Sequence, residues 1–168
     1  MKNKGFTLIE ILAVVIILGV IAMITIPSVS KYINDSRKEA YIATARKYLE
    51  GSLFAIKKNK FDMSDKTSTY YISYRCISLE KGGNSPYGEW EDAYVVMGYN
   101  DECNDYEVYW TSLDSKGHGV ELTLFNRLSV NSIVTSLKKV EVKNLPGKTG
   151  KVKILDINDN GKCSVIEK

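Results

Sequence analysis

The first third of the chain contains two hydrophobic patterns of different kinds, which meet at a proline. Residues 11–26 form a run of sixteen residues without a charge. Because about 20 apolar residues span a bilayer as a helix, residues 6–30 are predicted to be a hydrophobic membrane-spanning helix. Gly19 and Pro27 are its weak points. A kink is expected near Pro27, because proline removes one backbone hydrogen bond and clashes with the preceding turn.

Beyond the proline the pattern becomes amphipathic. Apolar side chains recur at spacings of three and four residues, which places them on one face of a helix. The members of this stripe are Ile42, Ala45, Leu49, Leu53 and Ile56. Lys57 and Lys58 suit the negative C-terminal end of a helix dipole. Residues 31–60 are therefore predicted to continue the helix and to pack on residues 61–168, which we call the head.

The pattern of the head is typical of β-strands. A polar connector, residues 61–69, precedes a run rich in Tyr and Ile at 70–79. Two further β-rich runs at 93–99 and 106–111 flank the polar segment 100–105, and these are predicted to pair as a hairpin.

The C-terminal part of the head predicts a second hairpin. The runs 151–157 and 162–166 flank Asn158-Asp159-Asn160-Gly161, and Asn-Gly is the strongest hairpin signal in the chain. Weaker signals predict a strand at 120–124, a short helix as one option at 128–137 and a short β-prone piece at 140–142. The expected fold class is α+β, with a long N-terminal helix packed against an antiparallel β-sheet.

Composition and charge narrow the function only slightly. The chain has 168 residues, 44% of them apolar and 26% charged, as in an ordinary globular protein. The formal charge of +3 includes Lys2 and Lys4, and without these two residues 21 basic side chains face 20 acidic ones. This balance gives no electrostatic reason to expect a specific nucleic acid or an anionic surface as a partner.

The N-terminal motif carries most of the functional information. The segment Lys4-Gly5-Phe6-Thr7-Leu8-Ile9-Glu10 joins a short basic leader to a glycine, a phenylalanine and one carboxylate inside the apolar run. A glutamate at membrane depth costs roughly 2.5–3.5 kcal/mol or more, so it is normally kept for a purpose. An ordinary secretory signal has a small-residue cleavage site beyond its apolar core and no acid near the start. A plain membrane anchor explains neither Glu10 nor Gly5-Phe6.

Residues 1–30 resemble the type III signal of type IV pilins and pseudopilins. The resemblance implies that residues 1–5 are a leader peptide, that a prepilin peptidase cleaves between Gly5 and Phe6, and that Phe6 is then N-methylated. It also implies that the mature chain assembles into a filament through its N-terminal helix.

Glu10 requires a cation if it is buried in lipid. No Lys or Arg follows it on the same helix before Lys31, so the nearest candidate is the α-amine that cleavage would create on Phe6. In an assembly the amine of an incoming subunit can lie against Glu10 of a neighbour, and the family resemblance implies this pairing. The alternative is that Glu10 snorkels toward the cytoplasmic headgroups.

The three cysteines, Cys76, Cys103 and Cys163, allow three different single disulfides, each with one thiol left over. Cys76 and Cys163 lie in strand-like runs, and the resemblance implies a disulfide that closes the C-terminal region, so Cys76–Cys163 is the favoured pair. Cys103 in its acidic turn is then the spare thiol. The alternative is that all three are buried free thiols, because free Cys packs as a small hydrophobic residue.

The segment Asp156-Ile157-Asn158-Asp159-Asn160-Gly161, followed after five residues by Glu167, fits the EF-hand loop pattern. Its flanks are predicted to be strands, and the sequence ends at Lys168 before an exit helix, so a hairpin turn is the preferred interpretation. Calcium held by Asp156, Asn158, Asn160 and Glu167 is the alternative, because some secretion pseudopilins have a calcium site near the C-terminus. No cofactor and no other metal is expected.

Other residues that attract attention have ordinary interpretations. His118 is the only histidine, and without a cluster of ligands around it an exposed loop histidine is expected. Trp90, Trp110 and the eleven tyrosines are expected to pack in the sheet rather than to bind a ligand.

The expected function is that of a pilin rather than an enzyme. The precursor is expected in the cytoplasmic membrane, with a cytoplasmic N-terminus because of Lys2 and Lys4, and the mature chain in a cell-surface filament. The expected partners are prepilin peptidase, an assembly platform, minor pilins and other copies of the chain. The alternatives are a pseudopilin of a type II secretion or competence DNA-uptake system and, from another class, a membrane-anchored binding module or enzyme. The sequence offers no pocket of convergent polar groups for the last of these.

Overall fold

The computed structural model describes residues 6–58, 60–77, 79, 83–139 and 150–166. In chain order its regular elements are α1 (Leu8–Lys57), β1 (Thr69–Ser73), β2 (Trp90–Asn100), β3 (Asp105–Asp114), β4 (Gly119–Leu124), β5 (Val152–Ile157) and β6 (Cys163–Ile166). Short 3₁₀ turns lie at Tyr74–Cys76, Phe125–Arg127 and Val130–Ser132. The predicted α+β class is confirmed. The helix considered at 128–137 is reduced to the last of these turns, and the β-prone piece at 140–142 lies outside the described residues.

The chain divides into two compact units, Met1–Arg37 and Lys38–Lys168, and α1 contributes to both. Among the described residues, α1 is the only helix that is long and apolar enough to cross a membrane. None of its most apolar window is buried within the chain. The second unit contains the rest of α1 and the sheet.

The sheet has six strands in the order β4-β3-β2-β1-β5-β6. The two predicted hairpins are present: β2 pairs antiparallel with β3, and β5 pairs antiparallel with β6. The sheet is mostly antiparallel, as predicted, with one exception: β1 and β5 are parallel, with Thr69 opposite Val152 and Ile72 opposite Leu155. About 80 residues separate these strands along the chain, so no hairpin turn fixes their relative direction.

The strand predicted at 70–79 is shorter than expected. β1 ends at Ser73, whose side-chain oxygen accepts a hydrogen bond from the backbone amide of Arg75 at 3.3 Å. This cap starts the 3₁₀ turn that contains Cys76 and takes the chain out of the sheet.

The main core lies between the sheet and the part of α1 that belongs to the second unit. It includes Ala45 of the helix, Ile72 of β1, Val95 of β2 and Trp110 of β3, all of them buried. A smaller cluster on the opposite sheet face is formed by Tyr71, Val96 and Ile154, which are cross-strand neighbours.

Candidate assembly site

The N-terminal part of α1 presents an apolar surface that the chain itself does not cover. Phe6 is 83% exposed, Leu8 86% and Ile24 69%. The large apolar side chains that follow up to Ile33 are all between 46% and 77% exposed. A continuous apolar surface of this extent marks a site of contact with lipid or with other protein.

Glu10 lies at the start of this helix and takes part in a capping box. Its Oε2 atom accepts hydrogen bonds from the backbone amide and from the hydroxyl of Thr7, both at 2.8 Å. In return, the amide of Glu10 donates to Thr7 Oγ1 at 3.4 Å. The pattern Thr-x-x-Glu before an apolar run is the sequence signature of this motif. The sequence analysis missed it because it considered only charged partners for the carboxylate.

Among the described residues, the capping box leaves the charge of Glu10 without a counter-ion. Its partner among the described residues is Thr7, which supplies neutral donors only. Thr7 is also the neighbour of Phe6, so the predicted cleavage would place a cationic amine one residue before the helix cap. The geometry therefore gives Glu10 two possible roles, a helix cap and an acceptor for an amine.

α1 is helical through both of its predicted weak points, Gly19 and Pro27. Two hydroxyl side chains near the proline bond back to the preceding turn: Thr25 Oγ1 donates to Ile21 O at 3.0 Å, and Ser28 Oγ donates to Ile24 O at 3.3 Å. Such bonds weaken and often bend a helix. The kink at this place stays a prediction.

The part of α1 in the second unit buries a face that differs from the predicted stripe. Its buried residues are Tyr41, Ile42, Ala45, Tyr48, Ser52 and Ala55. Of the predicted stripe, Leu49 and Ile56 are only half-buried and Leu53 is 40% exposed. The prediction counted aliphatic residues alone, whereas the helix turns its tyrosines inward, which rotates the buried face by about one residue.

The two inward tyrosines are both hydrogen-bonded to the head. Tyr41 Oη lies 2.5 Å from Ser112 Oγ, and Tyr48 Oη donates to Gly83 O at 2.6 Å. Burial raises the pKa of Tyr48 to about 12 and also raises the pKa of Tyr41. Both hydroxyls therefore stay protonated at neutral pH.

The expected packing of the aromatic residues holds for both tryptophans and for six of the eleven tyrosines, which are buried, whereas Tyr32 is 74% exposed. Trp90 and Trp110 are buried. The ring of Tyr41 meets Trp90 edge-on at 5.0 Å between centroids, and that of Tyr48 stacks on Trp110 at 5.7 Å. These contacts join the helix to β2 and β3.

His118 is not the exposed loop residue that was predicted. Its ring stacks on Tyr87 with centroids 4.0 Å apart, and its Nδ1 lies 3.5 Å from Oδ1 of Asp114, whose side chain is completely buried. Asp114 also accepts hydrogen bonds from Ser85 Oγ at 2.8 Å and from the amide of Lys116 at 2.9 Å. An Asp before Ser-Lys-Gly is a turn signal, and it is the feature that would have located this cluster.

A serine, an aspartate and a histidine thus meet in the head, but in an order unsuited to nucleophilic catalysis. A nucleophilic serine donates to the histidine, which the carboxylate orients from behind. Here Ser85 donates directly to Asp114, and His118 approaches the same carboxylate. The cluster therefore fastens the β3–β4 turn to the loop before β2.

Cys76 and Cys163 form a disulfide, with Cα atoms 5.3 Å apart and a sequence separation of 87. This is the pairing that the sequence analysis favoured. Cys103 is exposed and has a free thiol. The bond ties the last strand to the turn that follows β1.

The segment with the EF-hand pattern forms the tip of the β5–β6 hairpin. Asn158 Oδ1 accepts hydrogen bonds from the amides of Asn160 and Lys162, at 3.1 and 3.0 Å. Asp156 accepts from the amide of Ile157 and lies 3.9 Å from Arg75. Glu167 lies outside the described residues. Within the part of the chain that the structure covers, no group of three or more His, Cys, Asp or Glu side chains is placed to hold a metal ion.

The long helix packed on a mostly antiparallel sheet, with an uncovered apolar N-terminal part, is a pilin-like architecture. Residues 1–26 match the family model described as the prokaryotic N-terminal methylation motif, which is the type IV prepilin signal. This match is consistent with the type IV pilin family. No curated protein and no solved structure matches the chain significantly.

The signal defines the class of the protein more closely than the head does. It indicates prepilin processing of the pilin or pseudopilin type, which implies a prepilin peptidase as a partner and assembly into filaments. It also indicates a structural protein rather than an enzyme, and together with the apolar helix it fits a membrane-anchored precursor.

Proposed function

We propose that this chain is the structural subunit of a type IV pilus-like surface filament. In this proposal residues 1–5 are removed by cleavage between Gly5 and Phe6, and Phe6 is N-methylated. Residues 6–30 first anchor the precursor in the cytoplasmic membrane and then form the filament core with other copies of the helix. The head, carried by residues 31–60, lies at the filament surface.

The exposed apolar part of α1 is the observation that carries the proposal. A surface of this kind is stable only in lipid or against similar surfaces, and the helices of other subunits satisfy it once the lipid is left behind. A monomeric anchored module would need the lipid alone. That alternative leaves both the methylation motif and Glu10 without a role.

Glu10 has a specific part in this proposal. Before cleavage, the nitrogen of Phe6 is part of a peptide bond and carries no charge. The precursor would therefore retain the capping box between Glu10 and Thr7. In the filament, the new amine of Phe6 on an incoming subunit would meet the carboxylate of Glu10 on its neighbour and supply the missing counter-charge. Burial between helices strengthens such a pair, because the local dielectric constant is low.

The basic test is to examine sheared surface fibres by electron microscopy and their subunit by mass spectrometry. We expect fibres built from a chain that starts at Phe6 and carries one added methyl group at its N-terminus. A chain that is processed but yields no fibres would favour a pseudopilin of a secretion or DNA-uptake system. An uncut chain in fibres, or a start at another residue, would contradict the proposal.

The two roles of Glu10 are separated by a pair of variants expressed without wild-type subunits. Glu10→Ala should insert and be cleaved normally, yet its filament yield should fall by about tenfold or more, because it loses a charge pair. Thr7→Val removes the hydroxyl of the cap but keeps the carboxylate, so it should be processed and should assemble. An equal loss of assembly in both variants would show that the capping box is the important role. Normal filaments from Glu10→Ala would exclude the pairing.

A further inference from the structure

An open groove of about 440 Å³ lies between α1 and the segment that follows β4. Apolar side chains form its floor, contributed by Ile42, Ala43, Leu128 and Val130. Glu39 and Arg46 also line the groove, and both are exposed. The groove is thus an apolar channel with one charge of each sign.

The two charges have a fixed spacing because both are on α1. They are seven residues apart, which is two helical turns and about 10 Å at ~1.5 Å per residue. Neither makes an ion pair with any side chain in the described part of the chain. Ala43, which also lines the groove, lies between them in the sequence.

The tip of the β5–β6 hairpin, residues 157–162, carries an apolar side chain and two charges that could complement those of the groove. Ile157 is 41% exposed, and Asp159 and Lys162 are both exposed. The turns of the other hairpins in the described sheet offer one sign of charge only, since β2–β3 is acidic at Asp101 and β3–β4 is basic at Lys116. The tip at 157–162 therefore combines a large exposed apolar side chain with charges of both signs.

We propose that the β5–β6 tip of one subunit docks into the groove of the next subunit of the filament. Ile157 lies on the apolar floor, Asp159 pairs with Arg46, and Lys162 pairs with Glu39. The partner is a second copy of this chain, so the inference rests on the proposed function. Charge complementarity of this kind fixes the register of a contact and speeds its formation.

The geometry of this contact suits an open assembly. The groove and the tip are different surfaces of the same molecule, so the contact is heterologous. Each subunit uses its tip on one neighbour and its groove on another. Contacts of this type build a helical filament when the rotation between neighbours does not close a ring.

Charge reversal in filaments of the full-length chain tests the proposal. Arg46→Glu alone and Asp159→Lys alone should each lower the filament yield by about tenfold, because each places like charges opposite one another. The combination Arg46→Glu with Asp159→Lys restores opposite charges and should return the yield to within about threefold of wild type. Yield is measured relative to the amount of processed subunit in the membrane, which corrects for expression.

Matched controls separate the pair from general charge effects. Lys47→Glu changes the charge next to Arg46 on α1 but outside the groove, and Asp101→Lys changes a different hairpin turn. Both should leave the yield unchanged. Loss of yield in these controls, wild-type yield from both single reversals, or failure of the combination to recover would each overturn the proposal.

Cysteine cross-linking gives a second measurement that does not depend on assembly being impaired. In a Cys103→Ser background, Ala43→Cys and Ile157→Cys together should form disulfide-linked ladders of subunits in oxidised filaments. Ala43→Cys with Asn100→Cys should form none. Filaments that assemble normally but show no ladder would overturn this contact and leave the proposed function intact. Absence of wild-type filaments would instead contradict the proposed function.

Discussion

The two parts of α1 are helical for different reasons. From residue 11 to residue 26 the helix is uncharged around its whole circumference, and its large apolar side chains up to Ile33 are exposed. From Lys38 onward only one face is buried, and that face includes tyrosines and a serine as well as aliphatic residues. The apolar surface of the first part requires contact with other molecules, whereas the apolar face of the second part packs on the sheet of its own chain. Hydrophobic periodicity therefore predicts an intramolecular contact only in the second part.

This difference also separates the contributions to stability. Burying a large apolar side chain contributes about 1.5–3 kcal/mol, and in the second part this gain belongs to the folding of the single chain. In the first part the same gain is realised only in lipid or in a filament. Substitutions in the second part should therefore affect folding, and substitutions in the first part should affect assembly.

The largest effect is expected from a charge placed on the buried face. Ala45 is 0% exposed, so Ala45→Asp should destabilise the head by about 3–5 kcal/mol, because an unpaired carboxylate is left in the core. The matched control is Ala40→Asp, on the exposed side of the same helix. Near-ultraviolet circular dichroism of the full chain in detergent reports the packing of Trp90 and Trp110. A native signal from Ala45→Asp would show that this face is not part of the core.

Loss of the disulfide should have the next largest effect and should be confined to the head. The bond closes a loop of 87 residues, so Cys76→Ser should lower the free energy of unfolding by about 2–5 kcal/mol. Cys103→Ser is the matched control, because that thiol is exposed and free. Thermal melts followed by the near-ultraviolet signal measure the loss, while the helical signal of the N-terminal part should persist. Equal melting temperatures for the two variants would contradict the prediction.

The smallest effect should come from the tyrosine hydroxyls. Tyr41→Phe removes the partner of Ser112 and should destabilise the head by about 1–2 kcal/mol. Tyr48→Phe should cost less, because Gly83 O also accepts a hydrogen bond from Trp90 Nε1. Tyr32→Phe, in the exposed N-terminal part, should have no measurable effect on the melt. A larger loss of stability for Tyr48→Phe than for Tyr41→Phe would contradict this prediction. It would mean that the hydrogen bond of Gly83 O with Tyr48 contributes more than its hydrogen bond with Trp90.

The sequence predicted the features that depend on neighbouring residues. The uncharged run at 11–26 and the Asn-Gly turn at 160–161 are local signals, and both led to the correct element. The parallel pairing of β1 with β5 depends on two strands far apart in sequence, so no local signal described it. On the buried face of α1, Ile42 and Ala45 were predicted correctly, but the rest of the face lies about one residue away from the predicted stripe. The reason is that a tyrosine counts as polar in a pattern, although its ring packs in a core and its hydroxyl finds a partner.

The residues of the candidate site stand out in the sequence more clearly than their contacts do. Glu10 stands out in the sequence because a charge interrupts an apolar run. Its hydrogen bonds to Thr7 follow from a second pattern, the Thr-x-x-Glu capping box at residues 7–10. This capping box overlaps the signal motif and was not recognised beside it. The buried Asp114 gave only a weak turn signal, because its role depends on Ser85 and His118, which a local pattern does not bring together.

In the filament proposed above, the disulfide would have a mechanical consequence for a subunit under tension. The loop between Cys76 and Cys163, which have a sequence separation of 87, contains β2 to β5. Fully extended, this loop would measure about 300 Å at roughly 3.4 Å per residue. With the bond intact, a pulling force would pass directly from one sulfur to the other. The residues of the loop would then bear no load and would not be extended. Within the head, only the short stretches on either side of the loop could lengthen under load. Each head would therefore act as a nearly inextensible link, which can lose its packing under force and regain it without first having to recoil a long unfolded chain.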